Sequence, residues 1–161
     1  MAGAFAKKNL VTGREPSVLL CAVNRSSLGR RIGLWLMALL LLSAGTSHFL
    51  WPLVFVQIVP PAVPWPTAAV YVSGGCELAL GVALLIPAVS RLAALGVVLL
   101  LVAIFPANVY HWLANVPLNG QVAPGWYHAI RLPGQALLIA WAFWLSRPPS
   151  TETARPDLPE R

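Results

Sequence analysis

The sequence predicts an all-α fold, an integral membrane four-helix bundle with both termini on the cytoplasmic side (N-in/C-in). Three observations lead there. Hydrophobic residues make up 58% of the 161-residue chain and charged residues only 10%, too few to cover a water-facing surface. From Ile32 to Leu145 the only formal charges are Glu77, Arg91 and Arg131, which suits lipid far better than water. Finally, every Lys and Arg except Arg131 falls on one side if the spans alternate, and this bias fixes orientation.

The net charge of +6 does not point to nucleic acid. Lys7, Lys8, Arg14, Arg25, Arg30 and Arg31 crowd ahead of the first span. Basic clusters in that position sit beside anionic lipid headgroups, and no nucleic-acid-binding motif accompanies them. The two cysteines, Cys21 and Cys76, fall at different predicted depths and are not expected to pair.

Residues 1–27 lack a sustained apolar period and read as a flexible basic tail, with a short interfacial turn at Val18–Val23. The membrane domain covers 28–146. Its first span, about 32–49, begins at Arg30 and Arg31 and ends near His48 and Trp51. An uncleaved helix is expected, because the basic tail is long for a signal peptide. Pro52–Val59 is apolar enough to lie on or dip into the outer interface, and Pro60, Pro61, Pro64 and Pro66 preclude regular helix after it. The second span covers about 67–86 and stops at Pro87. The third, about 92–112, contains Pro106, which should kink it and free the carbonyl near Val102. Residues 113–130 form an outer loop without formal charge. The fourth span, about 131–145, would hold Pro133 in its first turn, where proline is tolerated. The tail 147–161 is rich in proline and charge and reads as disordered.

Polar groups are costly in lipid, so their depths carry information. Measured from the inner basic anchors, His48 and Asn108 stand roughly 25 Å up, Glu77 roughly 21 Å, His111 roughly 30 Å, Arg131 roughly 24 Å and Gln135 roughly 18 Å. All four helices thus bring polar side chains to one outer layer. Asn108 with His111 (i, i+3) and Arg131 with Gln135 (i, i+4) each share a helix face. Ser73, Glu77 and Gly81 share a stripe with Gly74 alongside, where small residues allow close helix approach and turn Glu77 inward. Glu77 and Arg131, the only opposite charges at this level, are expected to pair directly or through water.

Each residue also has a plain structural reading. Glu77 and Arg131 would lock two helices together rather than serve a ligand or proton. His48 and His111 would be interfacial histidines, and Asn108 would satisfy the carbonyl freed by Pro106. Gln135 would make a helix–helix hydrogen bond, His128 would be a loop residue, and Cys76 a small packing residue. No metal-ligand spacing, phosphate loop or nucleophile elbow is present. His48 and His111 do not fall where a bis-histidine haem site would need them.

The chain resembles the DoxX family of bacterial four-helix membrane proteins. The resemblance rests on Ala44-Gly-Thr-Ser-His48-Phe49, Pro52 through Pro61, Tyr71-Val-Ser-Gly74 with Glu77 and Gly81, Phe105-Pro-Ala-Asn108, and Arg131-Leu-Pro-Gly-Gln135. These blocks span about 32–146 and leave out the tails. The resemblance implies a bacterial cytoplasmic (inner) membrane protein and an association with membrane redox or thiol-stress systems, as fold-level analogy. The chain has no cysteine pair for thiol exchange and no flavin or iron–sulfur signature. The expected role is therefore a non-catalytic or accessory subunit binding a small amphiphile, quinone-like or lipid, in the outer polar layer. The alternative is a purely structural or partner-anchoring bundle. Expected partners are the bilayer and either other proteins or a second copy of the chain.

Overall fold

A computed structural model describes residues 16–118 and 120–148. The expected tails at 1–15 and 149–161 lie outside the described residues. In chain order the elements are α1 (Pro16–Leu50), α2 (Pro52–Val56), α3 (Pro66–Leu84), α4 (Ser90–Leu113), β1 (Pro117–Leu118), β2 (Gln121–Val122) and α5 (Gly125–Ser146). Four of the helices are long and apolar enough to cross a membrane: Leu28–Leu50 within α1, then α3, α4 and α5.

The element boundaries correct the sequence reading in two places. Helix α1 begins at Pro16, so the backbone of 16–27 continues the first span instead of forming a separate tail with a short turn. Helix α5 begins at Gly125, six residues before the expected start, and Pro133 lies in its interior rather than its first turn. The cue at the new start is Pro124, extended at φ −63°, ψ 151°, with helical residues directly after it. What precedes α5 is a small antiparallel hairpin, Pro117 opposite Val122 and Leu118 opposite Gln121. Gly120, at φ +79°, turns it in a conformation that favours glycine.

The helices alternate in direction, so the start of α1, the α3–α4 turn and the end of α5 share one end of the bundle, the tail end. Here α5 finishes against two arginines. Arg30 Nη2 donates to the Leu145 carbonyl (2.7 Å) and Arg91 Nε to the Ser146 carbonyl (3.2 Å). These are carbonyls that a helix C-terminus leaves unpaired, and cations there also oppose the negative pole of the helix dipole.

The dry core occupies the same half. Met37, Ala38, Leu84, Ala94, Val97, Ala142 and Leu145 are fully buried against one another. Small residues are mixed with large ones, which lets the facing helices interdigitate. Outward faces are apolar as well: Trp35, Leu39, Val72, Leu92, Leu99, Ile130 and Leu137 are all exposed. By contrast His48, Glu77, Asn108, His111, His128 and Gln135 are buried. Apolar outside and polar inside is the arrangement that suits lipid as solvent.

Candidate functional site

Toward the loop end the bundle is hollow. A cavity of ≈ 930 Å³ lies among α1, α3, α4 and α5, and residues of the α2–α3 connection cover its loop end. Short helix α2 starts on Pro52, which supplies a preset φ at its first position. The segment then folds inward, so that Phe55, Ile58, Val59 and Val63 line the cavity and Ile58 is buried. The apolar segment Pro52–Val59, expected to lie on or dip into the outer interface, turns part of its apolar surface onto the cavity.

The walls differ. Helices α1 and α3 are nearly in backbone contact: a Cβ placed on Gly45 would fall 2.8 Å from the Gly74 carbonyl oxygen, and one on Gly74 would fall 2.7 Å from His48 Cβ. Only glycine permits that approach. The α1–α5 seam behaves otherwise. It is closed at the tail end, where Gly33 packs on Trp141 and Leu145. Further up, Leu40 and Ala44 of α1 face Gly134 and Leu137 of α5 across the cavity, and Leu40 and Leu137 are also exposed on the bundle surface. The hollow therefore reaches the apolar outer face between α1 and α5.

The polar side chains form three groups. In the first, Glu77 is 4% exposed, as its small-residue stripe predicts, and its Oε2 has no hydrogen-bond partner. The nearest ionisable neighbour is His48 Nδ1 at 3.9 Å, beyond hydrogen-bond distance. That nitrogen instead lies 3.3 Å from Ser73 Oγ, while the His48 ring packs edge-on against Phe55 at 4.0 Å between centroids.

The second group ties α4 to α5. Asn108 Nδ2 donates to Gln135 Oε1, and Gln135 Nε2 donates to the Leu101 carbonyl (2.8 Å). Asn108 therefore does not itself serve a backbone carbonyl near Pro106. Gln135 does so from the facing helix, one residue before the carbonyl that the proline frees.

The third group lies nearest the loops. Arg131 Nη1 donates to His111 Nδ1 at 2.7 Å. A guanidinium can only donate, so this nitrogen is the acceptor and the ring proton of neutral His111 sits on Nε2. His111 is fully buried rather than at a water boundary. Its ring meets His128 edge-on at 4.7 Å, and the Arg131 guanidinium lies 5.8 Å from the Tyr127 ring centre. His111 Nε2 and His128 Nδ1 are both buried without a partner.

The structure corrects two expectations here, the first in part. Of the expected pairing of Glu77 with Arg131, directly or through water, the direct ion pair is absent among the described residues: the carboxylate approaches only His48 and the guanidinium bonds His111. Both line the cavity, but from different helices and with different neighbours. His128 is not a loop residue. It occupies the first turn of α5 and is 2% exposed. The signal that could have found it is spacing, because His128, Arg131 and Gln135 form an i, i+3, i+7 stripe once the helix starts at Gly125. From the sequence Ser73 stood out only as a small residue, and Phe55 only as part of the apolar Pro52–Val59 segment. Cys76 is exposed on the outer face of α3 and packs in no interior. No group of three His, Cys, Asp or Glu side chains among the described residues could hold a metal.

The geometry defines a class: a small bundle of four apolar helices, each long enough to cross a bilayer, around a mostly apolar hollow that holds a few polar groups at one end. Residues 37–146 match the family described as Domain of unknown function (DUF8561), and the chain belongs to that family. The match runs from the middle of α1 to the last residue of α5, so it takes in the whole cavity. No curated protein and no solved structure matches the chain.

Proposed function

We propose that this chain is a DoxX-like protein of the bacterial inner membrane, with both termini cytoplasmic, which binds a small amphiphile in its cavity as a non-catalytic or accessory component of a membrane redox or thiol-stress system. One observation carries the binding role: a ≈ 930 Å³ apolar hollow into which a few polar groups converge, Glu77 among them with an unpartnered oxygen. Ligand sites are commonly of this size, mostly apolar, with few well-placed polar groups. The opening between α1 and α5 faces the apolar surface, which favours a quinone-like or lipid molecule over a water-soluble one. The residues offered to it are His48, Glu77, Asn108, Arg131 and Gln135, and His111 positions Arg131.

Mass spectrometry of an organic extract from the full chain, purified in maltoside micelles, tests this. It should return a stoichiometric amphiphile, and the Glu77→Gln, Arg131→Gln double variant should lower its occupancy by about ten-fold, the size expected for losing a charge-assisted hydrogen bond. Detergent alone in the wild type, or unchanged occupancy in the variant, would remove the reading.

A second reading, a purely structural bundle whose polar core sets helix register and which anchors a protein partner or a second copy, draws support from one group only. The Asn108–Gln135–Leu101 chain is an interhelical lock in which each amide spends one N–H inside the bundle. It predicts that Glu77→Gln and Arg131→Gln change unfolding in micelles and leave occupancy as it was.

A further inference from the structure

The separation of Glu77 from Arg131 says which amphiphile fits. Two opposite charges in one hollow, if free to meet, would pair and close it. Here they do not meet. The Glu77 carboxylate is buried on α3 with one oxygen unbonded, and the Arg131 guanidinium on α5 spends one N–H on His111 and, among the described residues, none on a carboxylate. His48 does not relieve Glu77, since its Nδ1 is 3.9 Å away and closer to Ser73. A buried carboxyl without a donor stays ionised only where a cation or a donor meets it. The cavity therefore has an acidic pole and a basic pole, and neither meets an opposite formal charge among the described residues.

We infer that the ligand is a zwitterionic amphiphile, with an oxyanion taken by Arg131, an ammonium taken by Glu77 and an acyl tail lying in the α1–α5 seam. This rests on the amphiphile-binding reading above and narrows it. A phosphate or carboxylate beside a primary ammonium meets both poles at once, a guanidinium being suited to forked contact with an oxyanion and an ammonium presenting several donors to a carboxylate. An anionic head alone would satisfy Arg131 and leave Glu77 bare. A cationic head alone would do the reverse. A neutral carbonyl compound would offer Glu77 no charge at all. The seam supplies the apolar path for the tail: Leu40 and Ala44 face Gly134 and Leu137, and a Cβ on Gly134 would meet nothing within 4 Å.

The test titrates the full chain in maltoside micelles with three probes sharing one tail and reads binding by native mass spectrometry. The probes are lauroyl lysophosphatidylethanolamine (both charges), lauroyl lysophosphatidic acid (oxyanion only) and laurylamine (ammonium only). The zwitterion should bind about ten-fold tighter than either single-charge probe. Glu77→Gln should erase its advantage over the phosphatidic acid, and Arg131→Gln its advantage over the amine. The wild-type ranking alone decides the matter if a variant fails to fold. Equal or tighter binding of a single-charge probe overturns the zwitterion and leaves the amphiphile site standing. Failure of all three probes to bind, together with an extract holding detergent alone, overturns both.

Discussion

The two halves of this bundle are built from the same four helices and do opposite things with them. At the tail end Leu84, Val97 and Leu145 meet small residues such as Ala38, Ala94 and Ala142, and the interior is apolar and buried. At the loop end the same helices carry His48, Glu77, Asn108, Arg131 and Gln135 around open space, with His111 buried behind Arg131. The cavity exists because the helices are not equally close. A glycine contact holds α1 to α3, hydrogen bonds hold α4 to α5, and α1 and α5 part company above Gly33. A bundle this small can afford a hollow because its other half is packed without one. Under the proposed function, the filled half would carry rigidity and the hollow half recognition.

The sharpest way to break this division is to empty the filled half. Leu84 is 1% exposed in the dry core, and Leu84→Ala should cost about 3 kcal/mol through lost contacts and a residual void. Equilibrium unfolding of the full chain in mixed micelles would measure it, and a loss below about 1 kcal/mol would mean that the tail end is not the rigid half.

A smaller effect is expected from the polar lock. Gln135→Leu removes the partner of Asn108 and the donor to the Leu101 carbonyl. Interhelical hydrogen bonds of this kind are worth about 1–2 kcal/mol at most in a membrane setting. The same unfolding assay should show that loss, and Asn108→Leu added to it should cost little more, because the two residues share one interaction.

The smallest change in stability should come from filling the hollow. Gly134 lines the cavity and has free space where its side chain would project. Gly134→Leu should leave unfolding within about 0.5 kcal/mol of wild type yet displace the bound amphiphile. Stability and occupancy would then part company at a single residue, which is the behaviour expected of a binding hollow. If Gly134→Leu bound ligand as well as the wild type, the α1–α5 seam would not be where the tail lies.

The contrast between halves was only partly legible in the chain. Depth arithmetic gathered His48, Glu77, Asn108, His111, Arg131 and Gln135 at one level, because rise per residue is fixed in any helix. The stripe of Ser73, Glu77 and Gly81, with Gly74 alongside, told which way Glu77 would turn, and it is buried. Partner choice was not legible. Glu77 and Arg131 looked like natural partners as the only opposite charges at one depth, but depth says nothing about distance across a bundle. Arg131 found His111 instead. His128 was lost for a different reason: hydropathy places the start of a span where apolar residues begin, and α5 starts in the polar, aromatic stretch before that point.

What the sequence by itself determined is the number of apolar helices, their approximate limits and the layer that holds their polar groups. Those follow from local quantities, the run length of apolar residues, the positions of prolines and the helical repeat. Only the tertiary structure decided which helices touch. That choice turns on contacts between residues far apart in the chain, Gly45 against Gly74 and Asn108 against Gln135. It opened the α1–α5 seam, held the two charges apart and left a cavity between them. Packing sums over pairs of residues from different helices, and no property of one segment contains that sum.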